Sequence, residues 1–152
     1  MNRLFVAYKP TGVGSNFFLT KLKREYKTKK AGFSGTLDPF AKGVLLIGIG
    51  SYTKLFRFLN KTPKTYRATL WLGANSDSLD TELIQHVEIL KELDEANVLS
   101  VIKSLEGELE YEPPIFSAKR IDGQRAYDLA RAGKEFTLNK IRSNIYETRL
   151  IS

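Results

Sequence analysis

The stretch from Gly32 to Ile49 limits the possible folds of this chain more than any other. Residues 32–43 read Gly-Phe-Ser-Gly-Thr-Leu-Asp-Pro-Phe-Ala-Lys-Gly, and the longest apolar run, Val44-Leu45-Leu46-Ile47-Gly48-Ile49, follows at once. A short apolar run behind glycine suits a buried strand. It falls far short of the ~20 apolar residues that span a bilayer. The preceding segment reads as a loop built to present one carboxylate. Gly32, Gly35 and Gly43 accept backbone shapes that other residues avoid, and Pro39 steers Asp38 away from helix toward an extended conformation. Leu37, Pro39 and Phe40 flank Asp38, so its carboxylate is expected to be partly desolvated, with Lys42 as a compensating charge. An ordinary Asp-Pro turn would use the same residues.

Around this segment the chain alternates short strands and helices. Residues 3–8 read as a strand, and Lys9-Pro10-Thr11-Gly12-Val13-Gly14 as a turn. Ser15 is the expected N-cap of a helix to about Lys27, with Phe18, Leu19, Leu22 and Tyr26 on its apolar face. Lys21, Lys23, Arg24, Lys27, Lys29 and Lys30 make its other side and its exit basic. A helix is expected from Ser51 to about Leu59, an alternating strand over 64–73 and a loop over 75–81. Asp94 would cap a helix from Glu95 to Leu105 that stops at Gly107. A further helix is expected around Arg125–Arg131, ending at Gly133, and strand over 134–151. Without a regular βαβ rhythm, the class is α+β. The 152 residues suit one domain with one core.

Lys and Arg number 24 against 17 Asp and Glu, a formal charge of +7. That surplus suits nucleic acid or an anionic membrane, or simply a basic surface. The N-terminus lacks the apolar region of a signal peptide. The chain has no cysteine and one histidine, His86. A disulfide framework and a Cys- or His-rich metal site are therefore not expected. A cytoplasmic, monomeric protein without metal or membrane attachment is the expectation.

Six elements, in order, resemble the TruB-type pseudouridine synthases. Ala31 to Leu45 is similar to the family's catalytic G-H-x-G-x-L-D-P-x-A-x-G-x-L. Lys9-Pro10-Thr11-Gly12 with Ser15 resembles its K-P-x-G-x-x-S, and Gly50-Ser51-Tyr52-Thr53-Lys54 its G-x-A-T-K. Lys64-Thr65-Tyr66 matches K-x-Y. Leu72-Gly73 with Ser76-Asp77-Ser78 and Asp80 is similar to L-G-x-x-T-D-T-x-D. Pro113 to Ala118, with Gly123, Tyr127 and Ala130-Arg131, resembles P-P-x-x-S-A…G…Y…A-R.

The resemblance implies a pseudouridine synthase fold, a mixed, mostly antiparallel sheet flanked by helices, of which residues 1–152 would be the N-terminal catalytic portion. It implies an isomerase that converts uridine to pseudouridine in the T-arm loop of tRNA, with no cofactor. Asp38 would be the essential catalytic residue, ionised to act as nucleophile or base. Tyr66 would stack on the base, and Lys9, Pro10, Gly35 and Lys42 would support the loop. RNA contacts would come from Phe33, Asp80, Lys119, Arg120, Arg125 and Arg131, with an RNA-clasping insertion at about 113–140. Phe33 stands where the family has histidine, which predicts altered tRNA engagement. The family's later arginine motif, its remaining strands and its C-terminal extension do not occur before Ser152, so weak activity or none is expected of residues 1–152 alone. Other readings are a non-catalytic tRNA-binding or folding module and a guide-RNA-dependent, dyskerin-like enzyme.

Overall fold

The structure, a computed structural model, describes residues 1–117 and 119–151. The chain divides into two compact units, Met1–Ala68 and Thr69–Ser152. Helices and small antiparallel sheets occur in both, the α+β mixture that the sequence implied.

In the first unit, β1 (Arg3–Lys9), β2 (Ala31–Ser34) and β3 (Gly43–Ile49) form an antiparallel sheet in the order β1-β3-β2. Pairing runs from Arg3↔Ile49 to Lys9↔Gly43 on one side of β3, and from Ala31↔Ile49 to Ser34↔Leu46 on the other. Alternation along β3 decides what is covered. Leu45 and Ile47 point inward and form a core with Leu19 of α1 (Ser15–Glu25). Phe5, Ala7, Phe18, Leu22, Ala31, Phe33 and Leu37 pack around them. Each fully buried aliphatic side chain contributes about 1.5–3 kcal/mol, so this cluster is the main force placing the loops at the sheet's end. Val6, Tyr8 and Val44, on the alternate positions, are exposed.

A 3-10 segment, Gly50–Phe58, follows β3. It lies so close to the sheet that a Cβ at Gly48 would sit 2.9 Å from the Phe56 ring and 3.1 Å from the backbone of Thr53. Only glycine permits that approach without displacing the segment.

Three expectations for this unit change. Gly14, not Ser15, is the N-cap of α1, and the helix ends at Glu25, before Lys27 takes a positive φ of 46°. Residues 31–34 form a strand rather than loop, because pairing with β3 overrides a sequence poor in strand formers. Residues 64–73 form no strand despite their alternation, since no edge among the described residues pairs with them.

In the second unit, β4 (Ala74–Ser76) pairs with β5 (Ile84–Val87), so residues 75 and 76 of the loop expected over 75–81 are strand while 77–81 remain outside any strand. Asp94 caps α2 (Glu95–Ser104) as anticipated, accepting a 3.1 Å hydrogen bond from the Ala96 amide. β6 (Gly107–Tyr111) pairs antiparallel with β9 (Ile141–Ile145). Between them, β7 (Arg120–Ile121), β8 (Gln124–Arg125) and α3 (Ala126–Arg131) form a small hairpin and helix. Glu106 ties α2 to the end of the chain. It accepts hydrogen bonds from Lys103 Nζ at 2.7 Å, Thr148 Oγ1 at 2.8 Å and the Thr148 amide at 2.6 Å. Those bonds, Lys103's foremost, lower its pKa from 4.5 to about 2.

Candidate active site

Asp38 lies in the connection between β2 and β3, two strands paired directly with each other. Gly35 opens that connection at φ +79°, a conformation that suits glycine. Next comes a set of ties to the segment between β1 and α1. The Ser15 hydroxyl donates to the Leu37 carbonyl at 2.7 Å and accepts from the Leu37 amide at 3.0 Å. Past Asp38, the Gly12 amide donates to the Pro39 carbonyl at 2.8 Å, and the Thr11 hydroxyl to the Phe40 carbonyl at 2.8 Å. The Ala41 amide closes back on the Asp38 carbonyl at 3.1 Å. The loop is thus gripped on both sides of the carboxylate.

The gripping segment is itself braced. Lys9 is fully buried, and its Nζ donates to the Pro10 carbonyl at 3.0 Å and the Val13 carbonyl at 2.7 Å. A buried ammonium is tolerated only where its donors find acceptors. Here the acceptors are the turn's own carbonyls, so the charge fixes the turn's shape. Pro10 contributes its carbonyl at the exposed surface.

Asp38 itself is exposed, which corrects the expectation of desolvation. Leu37 explains this: its side chain packs against the core, so the next residue faces outward, and Pro39 and Phe40 are also exposed. Lys42 is exposed and, among the described residues, forms no ion pair with Asp38. A groove of about 220 Å³ is lined by Ser34, Gly35, Val44, Leu46, Leu59, Asn60, Lys61 and Lys64. Its lining combines the apolar Val44, Leu46 and Leu59 with two lysines. Gly35 and Lys64 bring it close in sequence to Asp38 and Tyr66, though neither of those two lines it. Tyr66 is 73% exposed on an irregular stretch.

The remaining sequence-derived residues are spread more widely. Phe33 is half-buried against the core, which gives it a packing role. Asp80 Oδ1 accepts from the Ser78 hydroxyl at 2.6 Å and the Glu82 amide at 2.7 Å, so it caps its own loop. Lys119 Nζ donates to the Asn139 carbonyl at 3.2 Å. Arg120 and Arg125 face each other in the β7–β8 register. The Arg125 and Arg131 guanidinium carbons lie 5.6 and 5.9 Å from the Tyr127 ring centroid, and Arg131 also reaches Glu82 at 3.7 Å. Ala118 of the Pro-Pro element lies outside the described residues. Among the described residues no His/Cys/Asp/Glu cluster could hold a metal ion, and no helix is long and apolar enough to cross a membrane.

Sequence reasoning missed Thr11, Gly12 and Ser15 as partners of the loop. Ser15 stands at a helix start, where a capping role is the default inference, and nothing local shows its hydroxyl turning to residue 37.

An α+β frame thus holds an exposed carboxylate on a doubly gripped hairpin loop, and comparison with known proteins gives the family, one of pseudouridylate synthases. The profile described as "TruB family pseudouridylate synthase (N terminal domain)" matches residues 23–152, and the chain belongs to that family. It is 80% identical over its whole length to the "tRNA pseudouridine synthase B" of Sulfurimonas denitrificans. It is 55% identical over its whole length to the protein of that name from Campylobacter jejuni, and 56% identical over 99% of its length to that of a Nitratiruptor species. The chain spans 56%, 56% and 55% of those relatives' lengths, respectively.

Proposed function

We propose that the chain supplies the catalytic centre for converting uridine to pseudouridine in the T-arm loop of tRNA, with Asp38 as the reacting carboxylate. The observation that carries this reading is the state of Asp38: its side chain is open to a substrate while the residues on either side are pinned by Ser15, Gly12 and Thr11. The isomerisation breaks the bond from N1 to C1′, turns the uracil and joins C5 to C1′. The C5 proton is lost and N1 ends protonated, so nothing is oxidised and no cofactor is consumed. A carboxylate can serve this sequence as nucleophile or as base.

Tyr66 provides an exposed aromatic face for the base. Extruding a uridine from its stack costs roughly a few kcal/mol, and an aromatic partner returns about 1–3 kcal/mol. Lys9, Pro10 and Gly35 shape the loop, and Lys42 adds an exposed cation to it. Lys119, Arg120, Arg125 and Arg131, within 113–140, neutralise phosphates, and Tyr127 and Phe136 are available to stack. Phe33 and Asp80 serve packing and loop capping. A monomer working in the cytoplasm suits a soluble tRNA substrate.

The test is Asp38→Asn in the full-length protein with an unmodified tRNA transcript. Conversion is expected to fall by about 10³-fold or more, with tRNA affinity within about twofold. Equal conversion by both proteins would refute the assignment.

A further inference from the structure

Resting on the reading of Asp38 as the reacting group, we infer that Ser15 is a positioning residue that sets the direction of the Asp38 side chain. Its one hydroxyl satisfies both backbone polar groups of Leu37, donating to the carbonyl at 2.7 Å and accepting from the amide at 3.0 Å. That is the pattern a neighbouring strand would offer, delivered by a side chain. Thr36 Oγ1 adds a longer contact at 3.4 Å. Ser15 is 5% exposed, so water has little access to replace it. It is also the first residue of α1, and four residues on, Leu19 is buried in the core. The hydroxyl therefore projects from a fixed platform.

The consequence falls on the next residue. Leu37 is held through its amide, its carbonyl and its core-packed side chain. Pro39 and Phe40 are held through their carbonyls. Asp38 is thus confined from both sides, and removing Ser15 releases the preceding side. The hydroxyl is not needed as a helix cap, because Gly14 holds that position and its carbonyl accepts from the Phe18 amide at 3.0 Å. Thr20, whose hydroxyl bonds the Asn16 carbonyl within α1, offers a matched deletion that does not reach the loop.

The experiment compares, in the full-length protein, wild type, Ser15→Ala and Thr20→Ala in single-turnover conversion of a tRNA transcript, in tRNA affinity, and in amide hydrogen exchange. Ser15→Ala is expected to slow conversion about a hundredfold, the scale of a small misplacement of a reacting group. Affinity should stay within about twofold, and exchange at Leu37 should rise at least about tenfold. Thr20→Ala should match wild type in all of these. Conversion by Ser15→Ala within about threefold of wild type, or a parallel loss of affinity, would overturn the inference. If wild type itself fails to convert uridine, the proposed function falls, and exchange at Leu37 and Ala41 decides the positioning claim alone: no change in Ser15→Ala overturns it.

Discussion

Around Asp38 the ties are to the backbone: Ser15 to Leu37, Gly12 to Pro39, Thr11 to Phe40, with Lys9 bracing the gripping turn from inside. Within 113–140, among the described residues, the arginine side chains make only exposed side-chain contacts. Arg125 and Arg131 flank Tyr127, and Arg131 reaches Glu82 with both side chains more than 60% exposed. Backbone bonds in partly buried places are costly to lose. Exposed ion pairs are worth about 0–1 kcal/mol, and exposed cation–π contacts about 0.5–1 kcal/mol. The first region suits a reacting group that must not wander. The second suits charges that exchange internal partners for a polyanion at little cost.

The largest expected effect that sharpens this contrast is in the bracing turn. Lys9→Met should leave the Pro10 and Val13 carbonyls without their donor and lower unfolding stability by about 2–3 kcal/mol, measured by urea titration. A loss under about 0.5 kcal/mol would show that the turn holds itself.

Tyr66→Ala comes next. Being exposed, it should leave stability unchanged while slowing uridine conversion about tenfold or more, as expected for a lost base stack. Equal rates would remove Tyr66 from the site.

Replacing Arg125 and Arg131 together by Ala should weaken tRNA binding and flatten its dependence on salt by about one counterion per arginine, with the unfolding midpoint nearly unmoved. A fall in stability without a change in the salt slope would make the second region as structural as the first.

The smallest effect concerns Glu106. Its folded pKa is about 2, below its ordinary 4.5, so its bonds to Lys103 and Thr148 stabilise the fold fully above about 4.5. That contribution drains away as pH falls from 4.5 toward 2. Carboxyl NMR should show a midpoint near 2, and Glu106→Gln should lose the pH dependence of the Thr148 amide in that window.

Much of the frame can be read from local signals. The apolar run at 44–49 does become the central strand, Asp94 does cap its helix, and Gly133 does follow the helix over 126–131. What escaped depends on distant partners. Ala31–Ser34 is a strand only because β3 lies beside it, and β6 needs residues 141–145 to pair. The alternation at 64–73 promises a strand that finds no edge among the described residues. At the site, the motif pointed to Asp38, but its exposure follows from Leu37 turning inward, which no spacing reveals. Ser15 shows the same limit: the residue was visible, the direction of its hydroxyl was not.

The hairpin that carries Asp38 is closed by residues far earlier in the chain: Ser15 lies 22 positions before Leu37. A reactive geometry of this kind arrives late, when β1, α1 and the β2–β3 hairpin have all met, and it disappears when any of them leaves. Nascent or damaged copies would carry the same aspartate without that arrangement, so the placing of Asp38 reports that β1, α1 and the hairpin have folded together.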